Sequence, residues 1–309
     1  MRAVPGTTLS VFPLCLGGNV FGWTADEPTS FAVLDAFVGA GGTMIDTADT
    51  YSAWQGTPGG ESETIIGRWM RSRRNRDSLV IATKVGKAPG LNNLRPDTIR
   101  TAVERSLQRL QTDRVDVYYA HQDHPDPLDE TLETFDALIR EGKVRYLGAS
   151  QITAARLAES LDRAVDKGWT PYAVLQPHYH LLHRTEYEHE LLPVLTSHGM
   201  GSFPYYGLAQ GFLTGKYRSG GPTVDSVRSA GALRYLDERG QRVLGALDTV
   251  AAAHRATPGA VALAWLLTRP AVVAPIASAR TPEQLAELLP MATLELGPDD
   301  LARLDAAAR

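Results

Sequence analysis

Val80-Ile81-Ala82-Thr83-Lys84 is a short, mostly apolar run; a segment of helical spacing from Pro96 to Leu110 follows it, and then a second run, Val115-Asp116-Val117-Tyr118-Tyr119-Ala120-His121. A buried strand, a helix and another buried strand are what a parallel sheet with crossover helices requires. The unit repeats in both directions. Further runs lie at Pro13 to Gly18, Thr43 to Thr47, Arg145 to Ser150, Ala173 to His178, Gly201 to Tyr205 and Val272 to Ala277. Segments with helical spacing accompany them at Thr29 to Ala40, Glu61 to Arg73, Leu128 to Arg140, Ala154 to Asp166, Thr185 to His198, Gly240 to Leu267 and Pro282 to Leu288. Pro96 and Pro282 suit a first helical turn, and Thr281 suits the cap before it. Gly142, Gly168 and Gly199 stand where helices must stop and turn back.

Strands and helices in strict alternation, eight of each, predict an α/β fold of the (β/α)8 TIM-barrel kind rather than an open doubly wound sheet. Residues 1–309 are read as one domain. Apolar pieces around Ala3 and Leu9, joined by Pro5-Gly6-Thr7, predict an N-terminal β-hairpin closing the bottom of the barrel. Two long irregular stretches predict functional loops at the strand C-terminal face: Ser52 to Gly60, and Leu208 to Leu236, which contains Ser219-Gly220-Gly221-Pro222.

The bulk numbers narrow the function. With 309 residues and 43% hydrophobic content there is ample material for one large core. A net charge of -4 and the absence of a basic run interleaved with aromatics argue against nucleic acid as a partner. Cys15 is the one cysteine, which excludes an intrachain disulfide and a multi-cysteine zinc site and fits a reducing compartment. No basic head precedes a long apolar run, and no stretch has membrane-spanning length. These features predict a cytoplasmic protein without a membrane partner; nothing in them specifies an oligomeric state.

In such a barrel, chemistry sits where strands end. Asp46 ends Thr43-Met44-Ile45-Asp46, Lys84 and His121 end the two opening runs, and Tyr51 lies just beyond the Asp46 strand. The chain has only five lysines, so a lysine closing an apolar strand stands out. A buried ammonium needs a carboxylate, which Asp46 can supply. A phenol ordinarily titrates near ~10, and an adjacent ammonium is expected to lower that value. Tyr51 is therefore read as a proton donor assisted by Lys84, with His121 donating to a substrate oxygen.

Gly42-Thr43-Met44-Ile45-Asp46-Thr47-Ala48-Asp49-Thr50-Tyr51, followed by Gly60-Glu61-Ser62-Glu63, resembles the signature of the aldo-keto reductase superfamily. The resemblance continues in order through the lysine and histidine runs, Gly142 to Ser150, Gln176-Pro177-His178-Tyr179 and Gly211-Phe212-Leu213-Thr214-Gly215-Lys216-Tyr217. It implies an oxidoreductase that reduces an aldehyde or ketone to an alcohol, with Tyr51, Lys84, Asp46 and His121 as the catalytic set.

It also implies NADPH/NADP+ as cofactor, with NADH less favoured, bound without a Rossmann fingerprint; Leu16-Gly17-Gly18-Asn19 and Gly22 form none. By the same resemblance Ser150, Gln151 and Gln176 meet the carboxamide, and Tyr205 stacks on the nicotinamide. Leu208, Gly211, Leu213 and Lys216 cover the pyrophosphate; Ser278 and Arg280 take the 2'-phosphate; Gln284 and Glu287 reach the adenosine. Gln151 and Leu288 stand where the family has asparagine, which implies weaker cofactor contacts there. Phe21, Trp23, Trp54 and His124 are read as the substrate pocket, suited to a small-molecule carbonyl compound.

His178, His180 and His183, with His189 beyond, have no accompanying carboxylate pair, so no metal site is assigned. Two other functions are weighed: a cofactor-binding redox-sensing or regulatory subunit with weak reductase activity, and a metal-dependent barrel hydrolase using Asp46, Asp49 and His121. The second leaves Lys84, Tyr51 and the Ser278–Arg280 pair without a role.

Overall fold

Alternate residues of the strands point to opposite faces, and this parity organises the whole molecule. The computed structural model describes residues 1–221 and 223–309; Pro222, in the second irregular stretch, lies outside them. Eight parallel strands form one sheet: β3 (Cys15–Gly17), β4 (Met44–Asp46), β5 (Val80–Val85), β6 (Val115–Ala120), β7 (Val144–Ser150), β8 (Tyr172–Gln176), β9 (Gly201–Ser202) and β10 (Ile276–Ala277), with β10 beside β3. The sheet curls; near its two ends Val273 N–H donates to the Ser202 carbonyl at 2.9 Å and Ile276 N–H to the Pro204 carbonyl at 2.8 Å. This arrangement is consistent with an α/β (β/α)8 fold. A short antiparallel pair, β1 (Arg2–Ala3) with β2 (Ser10–Val11), precedes it.

The helices are α1 (Glu27–Gly39), α2 (Glu61–Arg73), α3 (Pro96–Leu110), α4 (Leu128–Arg140), α5 (Ala154–Lys167), α6 (Leu192–Ser197), α7 (Ser229–Leu233), α8 (Glu238–His254), α9 (Pro258–Leu267), α10 (Pro282–Leu288) and α11 (Pro298–Ala307). Local chemistry sets most boundaries. Thr153 caps α5 by accepting from Arg156 N–H, and Gly168 ends it at φ 70°; Thr281 caps α10 through Gln284 N–H. The segment expected as one helix from Gly240 to Leu267 is instead α8 and α9. Arg255 turns left-handed at φ 54°, and Thr257 with Pro258 starts a new helix, the same device as Thr281-Pro282. The expected helix from Thr185 to His198 opens as a widened π turn over Glu186–Leu191, ahead of Pro193, which has no N–H to give. β9 and β10 are shorter than expected because Pro204 and Pro275 interrupt the ladder. Helix α11 was not anticipated from the spacing.

On the inner face, Cys15, Met44, Val80, Ala82, Val117, Tyr119, Val174 and Phe203 pack with Val4, Leu9 and Val11 of the N-terminal pair. Leu16, Ile45, Ile81, Tyr118, Leu147 and Leu175 face outward into the core shared with the helices. Low on the sheet, buried Asp116 joins three segments: it accepts from Ile81 N–H at 2.9 Å and pairs with Arg76 and Arg145, each at 2.9 Å. Removing the carboxylate strands the Ile81 N–H and the Arg76 charge. Asp116→Ala is expected to lower unfolding free energy by about 3 kcal/mol, read as a lower urea midpoint at unchanged slope.

Candidate active site

The inner-face parity runs upward into the polar residues. Met44 leads to Asp46, Val80 and Ala82 to Lys84, Val117 and Tyr119 to His121, Gly148 to Ser150, and Val174 to Gln176. All five therefore end on one face at one rim. Register brings them together: Asp46 sits beside Ala82, Lys84 beside Tyr119, and Ser150 beside Gln176.

Lys84 is fully buried. Its ammonium donates to Asp46 Oδ2 at 2.7 Å, to the Thr47 carbonyl at 2.7 Å and to the Tyr51 hydroxyl at 2.9 Å, so all three N–H groups are used. The other Asp46 oxygen accepts from the Gln176 amide at 2.9 Å, and the Ser150 hydroxyl donates to the Gln176 carbonyl at 2.9 Å. Tyr51 also approaches Asp46 Oδ2 at 3.3 Å, and its ring meets that of His121 edge-on at 6.2 Å.

The electrostatics correct one expectation. Tyr51 is not made more acidic by Lys84; burial first, and the Asp46 carboxylate second, push its phenol well above the ordinary value. The ammonium that would stabilise a phenolate is already paired with Asp46. Tyr51 is therefore held protonated. Burial, aided by Lys84 and Lys87, pushes the His121 imidazole well below its usual range, so it is neutral, and its Nδ1 has no partner among the described residues.

The other expected site residues are placed as follows. The Tyr205 ring stacks on His178 at 5.3 Å, and His178 stacks on His183 at 4.0 Å. Gly211 and Leu213 both direct their N–H groups to the Leu208 carbonyl, so these two donors are spent inside the loop rather than offered to a pyrophosphate. Lys216 is exposed on the same loop. Ser278 donates to Asn19 at 2.7 Å, and a Cβ on Gly17 would stand 2.6 Å from the Ser278 hydroxyl, which explains a glycine there. The Gln284 side chain accepts from Arg280 N–H, while Glu287 is exposed and gives its carbonyl to Thr257. Gln151 adopts φ 47°, a backbone region asparagine enters more easily, and it ties Lys87 to the His121 carbonyl.

Of the expected pocket residues, Trp23 and Trp54 meet edge to face at 5.1 Å, and the Trp54 ring lies 6.1 Å from that of Tyr51. Phe21 is fully buried in the core and is not a wall of the cleft. His124 braces two loops through the Gly86 carbonyl at 2.7 Å. Among the described residues no cluster of His, Cys, Asp or Glu could hold a metal, and no helix is long and apolar enough to cross a membrane.

Asp49, considered in the sequence only as part of a metal-dependent hydrolase, is a buried group beside the site. Among the described residues both its carboxylate oxygens are enclosed without partners, next to the Glu63–Arg109 pair. Burial, then the Glu63 charge, push its carboxyl up to about 8. A carboxyl raised on folding binds its proton in the native state where the unfolded chain has lost it. Its contribution is thus whole below pH ~4 and declines as pH rises toward 8. Asp49→Asn, which cannot ionise, is expected to flatten the fall in melting temperature between pH 5 and 8; parallel curves for the two proteins would refute the assignment.

The aldo/keto reductase family profile matches residues 13–309, and the chain belongs to that family. It is thereby an oxidoreductase by class, in a family whose members generally use NAD(P)H. It is 32% identical to norsolorinic acid reductase of Aspergillus flavus, over 96% of this chain and 78% of that one. It is 33% identical to an uncharacterised oxidoreductase, YrpG, of Bacillus subtilis, over 97% and 93%, and 30% identical to an aryl-alcohol dehydrogenase of Pestalotiopsis microspora, over 97% and 80%.

Proposed function

We propose that the protein is a cytoplasmic, single-domain, closed-barrel NADPH-dependent carbonyl reductase that converts an aryl aldehyde or ketone to its alcohol, with Tyr51 as proton donor. The observation that carries this reading is the Asp46–Lys84–Tyr51 chain, with a neutral His121 facing the same phenol. The aryl preference is supported by the rings of Trp23, Trp54 and Tyr51 along the cleft and by the aryl-alcohol dehydrogenase among the relatives.

The residues present fit a nicotinamide dinucleotide phosphate. Arg280 is half-buried at the strand tops with no partner for its guanidinium among the described residues, and Gly17 lets the Ser278 strand approach closely. Ser278 and Arg280 would hold the 2'-phosphate, the Lys216 ammonium the pyrophosphate, Gln284 and Glu287 the adenosine. Ser150, Gln151 and Gln176 would hold the carboxamide, and Tyr205 the ring face. When bound, the cofactor supplies a hydride to the carbonyl carbon.

The protein supplies the rest. His121, neutral, donates its N–H to the carbonyl oxygen and fixes the substrate. The Tyr51 O–H bond breaks as its proton moves to that oxygen. The phenolate left behind is met by the Lys84 ammonium, held in place by Asp46, and is reprotonated from water. A donor protonated throughout the neutral range suits reduction.

Tyr51→Phe is expected to lower kcat at least ~100-fold while NADPH still quenches protein fluorescence with an affinity within about twofold of wild type. Near-normal turnover of 4-nitrobenzaldehyde by this variant would remove Tyr51 as the donor. Because His121 is neutral with its pKa held well below the usual range, His121→Asn should lower kcat by ~100-fold or more and leave the shape of the pH–rate profile between pH 5 and 8 as it is in wild type. A wild-type ionisation that vanishes in the variant would show that the imidazole titrates.

A further inference from the structure

Among the described residues, every half-buried arginine except Arg228 and Arg280 gives its guanidinium to an oxygen: Arg76 to Asp116, Arg109 to Glu63, Arg218 to Asp248 and Arg239 to the Ala308 carbonyl are examples. Withdrawing a guanidinium from water without such a partner is costly. Arg280 stands with the residues proposed to hold the cofactor. Arg228 does not.

Arg228 directly precedes α7, in the long loop after β9, and its guanidinium carbon lies 5.9 Å from the centre of the Trp23 ring. Burial depresses its pKa. Its contact with Trp23, whose ring meets Trp54 beside Tyr51, sets it on the substrate side of the cleft. Two groups of rings border the cleft: Trp23 against Trp54 with Trp54 against Tyr51, and Tyr206 against Tyr205 at 5.0 Å. Trp54 and Tyr206 are 50% and 40% exposed, large aromatic surfaces left open on one side. A planar ring can stack there. The cation at its edge then lacks only an anion, and a guanidinium fork matches a carboxylate in two parallel hydrogen bonds.

We propose that Arg228 determines specificity by pairing with an anionic group, such as a carboxylate, carried by the aromatic carbonyl substrate. This rests on the reading that the cleft beside Tyr51 receives a carbonyl compound.

The test compares 4-formylbenzoate with its methyl ester, which has the same ring and aldehyde without the charge. Two readouts are taken: kcat/KM with NADPH, and quenching of tryptophan fluorescence by each compound. In wild type the acid is expected to be preferred at least tenfold, mainly through KM. Arg228→Gln should reduce the acid-over-ester ratio at least tenfold, Arg228→Lys should restore part of it, and added salt should weaken the acid alone. A ratio unchanged in Arg228→Gln overturns the proposal, as does an NADPH affinity lost in that variant while the ratio stays, which would place Arg228 on the cofactor. If neither compound is turned over, charge-selective quenching that depends on Arg228 sustains the anion site and refutes the reductase reading instead; quenching without charge preference refutes the anion site.

Discussion

The ammonium of Lys84 is the constraint on which the site depends. A fully buried cation is tolerated only when every donor is met, and here one lysine at the end of β5 draws in a carboxylate from β4, a backbone carbonyl beyond it and the phenol of the following turn. Holding these groups within hydrogen-bonding distance fixes the relative height of two strands and the path of the chain from Asp46 to Tyr51. Gln176, reaching across the sheet to the second Asp46 oxygen, extends the constraint to β8. The same contacts that satisfy a structural need leave one phenol pinned at the rim.

That arrangement separates two effects that the presence of a lysine beside a tyrosine would conflate. A free ammonium stabilises a phenolate; an ammonium already paired with a carboxylate does so far less, because the pair presents little net charge. Burial and Asp46 then prevail, and the phenol keeps its proton. His121 is neutral for a related reason, since burial and two lysines all disfavour a third positive charge. The rim thus holds two neutral donors, and its one buried positive charge is committed to a partner.

Much of this was legible beforehand. Short apolar runs gave the parallel strands, and the rule that chemistry sits at strand ends drew Asp46, Lys84 and His121 together. The proline starts at Pro96 and Pro282 gave those helix boundaries to the residue, the glycine stops came within one residue, and the ordered motifs gave the family. The failures have physical causes. Gly240 to Leu267 was read as continuous because apolar spacing runs across the Thr257-Pro258 start. Phe21 was assigned to the cleft because an aromatic beside a loop looks the same in sequence whether it turns in or out.

Asp49, Gln151 and Arg228 mark the boundary between what residue order determines and what the fold decides. The sequence by itself determined the alternation of strand and helix, the inward face of each strand and the residue types at the rim, because these follow from local geometry with fixed periods. Only the tertiary structure decided that Tyr51 keeps its proton beside the Lys84–Asp46 pair, and that Asp49 is enclosed and Arg228 lies against Trp23, each without a partner among the described residues. Each of those depends on burial and on neighbours far away in the chain, and a pKa or an unmet charge has no local period to read.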